Sequence, residues 1–213
     1  MSAPTFFVTA ATGTADLLAA ELAATGIAGA RETLGGVTCE APLAGAYRAC
    51  LWSRIGLRVL WRIAEFPVAD AGDLYRRLRE IDWSAHMDVG DTLAVDFSGS
   101  VAGIIHTQFG AQRVKDAIVD QFRDATGQRP SVDRAAPTLR INVHAARGAV
   151  VVAIDLSGDS LHRRGYRGGQ GAAPLKESLA AGILLRAGWP ALAATGFECT
   201  ARPPTVGTGS RGS

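Results

Sequence analysis

The stretch TLRINVHAARGAVVVAIDLSG, residues 138 to 158, constrains the fold of this chain more than any other. In its first half Leu139, Ile141 and Val143 alternate with Arg140, Asn142 and His144. That period of two describes a strand with one apolar and one polar face. Arg147-Gly148 offers a turn, and AVVVAI, Ala149 to Ile154, follows with apolar residues on both faces. A strand with no polar face belongs in the middle of a sheet. The stretch therefore predicts an antiparallel hairpin inside a larger mixed sheet.

The rest of the chain supplies partners for it. TFFVTA, from Thr5, reads as a strand and GTADLLAAELAATG as a helix with Leu17, Leu18 and Leu22 on one face. ARETLGGVTCE reads as two short strands around Gly35-Gly36. PLAGAYRACLWS starts a helix at Pro42, and IGLRVLWRIAEF alternates Ile55, Leu57, Val59 and Trp61 against Arg58 and Arg62, as a strand does. The order strand, helix, two strands, helix, strand describes a split βαβ layer. After Pro67 come a helix with Leu74 and Leu78 one turn apart and a strand with Leu93, Val95 and Phe97 inward. A long helix follows, with Val114, Ile118 and Phe122 every fourth residue and Gly127 as its stop. RPSVDRAAP reads as a proline-bounded loop, and Pro174 to Ala187 as a last helix with Leu175, Leu179 and Ile183 on one side.

The chain has 213 residues, 47% of them hydrophobic, enough for a buried core. A net charge of +2 does not imply a polyanion partner, so any nucleic-acid surface must come from local clustering. Cys39, Cys50 and Cys199 are far apart and form no CxxC pair, which indicates neither a zinc site nor a disulfide framework and suits a reducing cytoplasm. No basic leader precedes an apolar run at the N-terminus, and no stretch reaches membrane-spanning length. His86, His106, His144 and His162 are isolated from one another. Asp96, Asp155 and Asp159 lie near strand ends, where catalytic carboxylates often sit, but beside Ser-Gly turns, where aspartate commonly bonds the local backbone. Arg113 and Lys115 lie on the long helix, whose polar face also carries Asp116, Asp120 and Asp124. That mixture reads as a solvated face.

One segment stands apart. His162, Arg163, Arg164, Tyr166 and Arg167 fall within six residues, no carboxylate intervenes between Asp159 and Glu177, and Lys176 stands at the start of the last helix. Guanidinium forks grip phosphate oxygens in pairs, and a tyrosine ring can stack on an unpaired base. The neighbouring glycines let a backbone approach a polyanion, and a helix N-terminus beyond favours an anion. A solvated linker has the same composition.

The segment LSGDSLHRRGYR followed by APLKESLAAGILLRAGW resembles the junction between the RNA-binding THUMP domain and the methyltransferase domain of bacterial 23S ribosomal RNA guanine-N2-methyltransferases. GTADLLAAEL, GGVTCE, AYRACLWSRIGLRVLWRIAEF, IDWSAHM, VDFSG, QFGAQRVKDAIVDQFR and RPSVDRAAPTLRINVHA match that family in order, so the resemblance covers about residues 5 to 195. It implies an α+β fold. Residues 1–66 would be a ferredoxin-like layer, 67–168 a THUMP domain, 169–196 a linker helix and 197–213 an irregular tail. It also implies ribosomal RNA as the partner, with Arg113, Lys115, His162, Arg163, Arg164, Tyr166, Arg167 and Lys176 as the RNA-facing residues. The family continues into an Asp-Pro-x-x-Gly-x-Gly-Thr turn that binds S-adenosylmethionine. Here the sequence reads PALAATGFECTARPPTVGTGSRGS, with Pro203 in place of the acid and only a faint glycine echo at Gly207 and Gly209. The expectation is an RNA-binding module that holds no cofactor itself and transfers no methyl group alone. A separate methyltransferase domain or chain would complete it. Two rivals are a self-contained enzyme using Asp96 and Asp155, and an interaction domain that does not bind RNA.

Overall fold

The computed structural model describes residues 3–165 and 175–196. The first half runs β1 (Thr5–Thr9), α1 (Ala15–Ala24), β2 (Arg31–Thr33), β3 (Gly36–Glu40), α2 (Leu43–Trp52) and β4 (Arg58–Pro67). The second runs α3 (Ala71–Leu78), a 3-10 turn (Trp83–Ala85), β5 (Thr92–Gly99), α4 (Thr107–Thr126), β6 (Ser131–Val132), β7 (Leu139–Ala146) and β8 (Ala149–Asp155). Two helices follow, α5 (Glu177–Arg186) and α6 (Trp189–Ala194).

The strands of both halves form a single eight-stranded sheet in the order β2-β3-β1-β4-β8-β7-β5-β6. The expected hairpin is present: β7 and β8 pair antiparallel, from Arg140 opposite Asp155 to Ala146 opposite Ala149. Its turn places Arg147 at φ 53 and Gly148 at φ 76, the left-handed pair that a tight two-residue hairpin needs. β8 is central, as its apolar character on both faces requires, with β7 on one side and β4 on the other. β5 runs parallel to β7, so the sheet is mixed. The proline-bounded loop contains one element that its composition hides: Ser131 and Val132 pair parallel with Thr92 and Leu93 at the sheet edge.

Helices cover one face of the sheet. Under α1 and α2, Phe6, Val8, Leu18, Leu22, Val37 and Val59 form one buried cluster. Under α3 and α4, Leu74, Leu78, Leu93, Val114, Ile118, Ile141 and Val152 form the other. α4 sits so close to the sheet at Gly110 that a Cβ there would lie 2.7 Å from the Phe97 ring. The buried Trp83 donates its indole N–H to the Leu78 carbonyl at 2.9 Å, while the Gln121 side chain on α4 bonds the Arg79 and Ile81 carbonyls and the Trp83 N–H. Between the clusters, the His86 ring makes T-shaped contacts with Trp61 and Trp83, at centroid distances of 5.4 and 6.4 Å.

Three sequence expectations shift. Pro42 stands at the N-cap of α2, one place before the first helical residue. The strand expected from Ile55 starts at Arg58, because Glu21 captures the backbone before it: its carboxylate accepts the N–H groups of Arg54 and Ile55 and the Ser53 hydroxyl. α5 turns its large apolar residues outward. Leu175, Leu179, Ile183 and Leu184 are exposed, whereas Ser178 and Gly182 are buried and Ala181 and Leu185 pack on the α1/α2 cluster. Small residues permit the close approach. A Cβ on Gly182 would come within 3.3 Å of the Thr14 methyl.

Ile118 is fully buried in the α3/α4 cluster. Ile118→Asp is expected to cost about 3 kcal/mol or more, read as a fall in melting temperature, because it buries an unpaired charge. A second expectation concerns His86. Burial holds its pKa below the ordinary 6.5, against the smaller opposing pull of Asp82. The unfolded chain therefore takes up the proton first as the pH falls. Stability should drop as pH passes down through about 6.5 and level off below the folded value. Melting curves between about pH 7.5 and 5.5 should show a smaller fall in His86→Gln than in the parent chain.

Candidate nucleic-acid interface

The basic segment is built onto the end of α2, and Arg164 builds it. Its Nε donates to the Leu161 carbonyl at 2.8 Å. Nη1 reaches the Leu51 carbonyl at 2.6 Å, and Nη2 reaches those of Cys50 at 3.0 Å and Ser53 at 2.7 Å. The last carbonyls of a helix have no partner within it, so a guanidinium there satisfies several at once and complements the negative end of the helix dipole. Glu21 serves the same turn from the other side, accepting its N–H groups. The turn from Cys50 to Ile55 is thus clamped between a carboxylate and a guanidinium.

Around that anchor the other residues separate. Arg163 is exposed beside Arg164, with its N–H on the Ser160 carbonyl. His162 is half-buried and its Nδ1 meets the Ser160 hydroxyl at 2.8 Å. Lys176 is exposed at the N-cap of α5. Tyr166 and Arg167 lie outside the described residues. Arg113 and Lys115 are not brought to this segment. Arg113 lies 4.8 Å over the Tyr75 ring and reaches the Ala71 carbonyl, bracing α3 against α4. Lys115 pairs with Asp116 at 2.7 Å and lines a hollow with Val132 and Arg134 at the opposite edge of the sheet.

α2 carries a feature that periodicity alone did not single out. Its buried residues are small, Gly45, Ala46 and Ala49. Its large ones, Tyr47, Leu51 and Trp52, point outward, and Trp52 is 69% exposed. Small residues at helical spacing opposite large apolar ones were the available signal. Arg48 is also exposed on this helix and donates to the Thr25 carbonyl at 2.9 Å.

The two carboxylates at strand ends are each engaged. Asp155 is buried, pairs with Arg58 and accepts the Ser157 N–H at 2.9 Å. Asp96 pairs with Arg140 at 3.3 Å. The two carboxylates line different hollows, so they do not form an acid–base pair. Burial, helped by the nearby Asp155, pushes the Cys50 thiol up to about 11, which leaves it protonated and a poor nucleophile. Among the described residues no three metal-ligating side chains cluster. The uncovered face of the sheet holds a groove of about 400 Å³ floored by Phe7, Leu60 and Ala153 and edged by Arg58, Arg62 and His144. Its cations are already engaged, Arg58 by Asp155 and Arg62 by Glu65. Nor do the described residues suit S-adenosylmethionine. The turn from β5 into α4 is where a cofactor would meet a strand and helix. It is closed by a Val101–Ile104 bridge with both side chains buried. Pro203, Gly207 and Gly209 lie outside the described residues.

Two family models match in tandem, the RlmL ferredoxin-like domain over residues 5–60 and the THUMP domain over residues 68–155. The chain is an RlmL-type ferredoxin-like layer joined to a THUMP domain. It is 50% identical over 190 residues to ribosomal RNA large subunit methyltransferase K/L of Pseudomonas paraeruginosa, covering 89% of this chain and 26% of that protein. The Pseudomonas fluorescens protein of the same description is 52% identical over 190 residues and is covered to 25%. The chain thus spans about a quarter of the length of the curated relatives it matches. A possible methylase from Clostridium difficile superposes with a TM-score of 0.74 at 27% identity, over 85% of this chain and 48% of that one. No helix among the described residues is long and apolar enough to cross a membrane.

The geometry separates two neighbouring arginines. Arg164→Ala should lower stability by on the order of 2 kcal/mol, because it strips charged hydrogen bonds from four carbonyls. Arg163→Ala should leave the melting temperature where it was. Thermal unfolding of the two variants checks both.

Proposed function

We propose that this chain is an RNA-binding module that grips ribosomal RNA, and that its target is 23S ribosomal RNA. The observation that carries the reading is the start of the basic segment, His162 to Gly165, seated by Arg164 on the α2 C-terminus just after the THUMP match. Arg164 is the anchor in this reading. Arg163, Arg167 and Lys176 meet phosphate oxygens, and Tyr166 meets a base. His162 supports the loop through Ser160. Arg113 and Lys115 do not contribute to this surface, since they serve α3 and the far edge of the sheet. S-adenosylmethionine and methyl transfer to a guanine amine belong to the portion of the relatives that this chain does not span. The module acts in the cytoplasm, beside its ribosomal RNA.

The test is binding of the purified chain to a 23S ribosomal RNA fragment across a salt series. Replacing Arg163 and Arg167 together by Ala is expected to weaken binding at unchanged melting temperature. It should also flatten the dependence of log affinity on log salt by about 0.7 for each single-strand phosphate that is no longer neutralised. Unchanged affinity and slope in the folded double variant would rule the segment out as the RNA grip.

A further inference from the structure

Trp52 is the most exposed aromatic residue of the described chain, at 69%, and it stands beside the turn that Glu21 and Arg164 clamp. An exposed indole offers a flat apolar face and an N–H to a partner. Its backbone cannot swing away. Glu21 holds the N–H groups of Arg54 and Ile55, and Arg164 holds the carbonyls of Cys50, Leu51 and Ser53. The same guanidinium anchor draws the basic segment against this turn, so exposed Arg163 and the indole share one neighbourhood. Tyr47, five residues earlier and about 140° further round the helix, lines a hollow with Leu156, Gly158 and Asp159, where the basic segment begins. Leu51 lies between them at 68% exposure.

The charge around the ring is predominantly positive. Arg48 stands one turn before Trp52 and Arg163 is on the anchored segment beside Arg164, while Arg54, two residues after Trp52, is paired with Glu21 at 3.1 Å. Of the nearby carboxylates, Glu21 is enclosed by its hydrogen bonds and Asp159 is exposed at the rim. An apolar protein partner would find a leucine and two aromatic rings fringed by guanidinium groups. An unpaired nucleotide would find a π-face for its base and cations for its phosphate. That combination is what proteins use to hold single-stranded nucleic acid.

We propose that Trp52 is a stacking platform for an unpaired RNA base, with Arg163 on the adjoining phosphate. The proposal rests on the RNA-binding reading above and adds the form of the ligand, a single-stranded segment. Duplex RNA keeps its bases inside and offers this ring nothing to stack on.

The test uses the purified chain, a short single-stranded RNA from the ribosomal fragment, and the same oligonucleotide with one abasic position moved along it. Trp52→Ala is expected to weaken binding to the intact single strand by roughly 5- to 100-fold, and Trp52→Phe by far less. The penalty of Trp52→Ala should vanish on the one oligonucleotide whose abasic site removes the stacked base. Thermal unfolding of both variants should match the parent, since the ring packs against little. Equal affinity of parent and Trp52→Ala for the intact strand, with the Arg163/Arg167 double variant still weakened, would overturn the stacking proposal and leave the RNA grip standing. Failure of the parent chain to bind any of these RNAs would overturn both readings.

Discussion

The ladder between β4 and β8 is the interaction on which the rest of this molecule depends. It runs from Leu60 opposite Asp155 to Pro67 opposite Ala149, with a bulge between Arg62 and Ala64. It extends at both ends, where Val68 donates to the Gly148 carbonyl and Leu156 to that of Val59. β4 pairs with β1 along its other edge, at Phe6 opposite Trp61 through Thr9 opposite Arg58. Most of this strand falls between the two family models, which end at residue 60 and begin at residue 68, yet it joins their sheets into one. Two family units that match separately share a continuous backbone hydrogen-bond network. With helices stacked on the same face of both, they have no independent hinge between them.

The second dependence is local. The turn after α2 has carbonyls left over from a helix end and N–H groups not yet in a strand. One carboxylate and one guanidinium meet them, from residues 21 and 164, at opposite ends of the described fold. The arrangement converts an arginine from a rich basic cluster into a structural post. It also fixes which of its neighbours faces solvent. Arg163 and Trp52 are presented because Arg164 and Glu21 are already occupied.

Much of the fold was legible because its signals are short-range. The β7–β8 hairpin, the centrality of β8 and the buried face of α4 all follow from periodicity within some twenty residues. The merging of two layers into one sheet was not legible, because β4 and β8 pair across about ninety residues of chain and neither strand's own sequence names its partner. The tandem resemblance in the motifs reached the same two units that the family models match. Individual roles were harder. Arg163 and Arg164 are chemically identical, and only the position of the α2 carbonyls decides that one is a cap. Arg113 reads as a surface cation until Tyr75 is seen beneath it. On α5 the leucines draw the eye, but the contact is made by Ser178 and Gly182, whose message is closeness rather than greasiness.

That contact has a consequence for how the molecule comes apart. α5 rests on the N-terminal layer through two small residues, the partly buried Ala181 and Leu185, and an exposed ion pair, Arg186 to Asp16 at 2.6 Å. Small residues bury little apolar area, and an exposed pair weakens as ions screen it. These contacts are fewer and more exposed than the ladders of the sheet, which makes α5 the expected first element to open. α5 is therefore held more lightly than the strands are. Amide exchange would see the molecule as a slow sheet with a quick clasp, and raising ionic strength would loosen the clasp first.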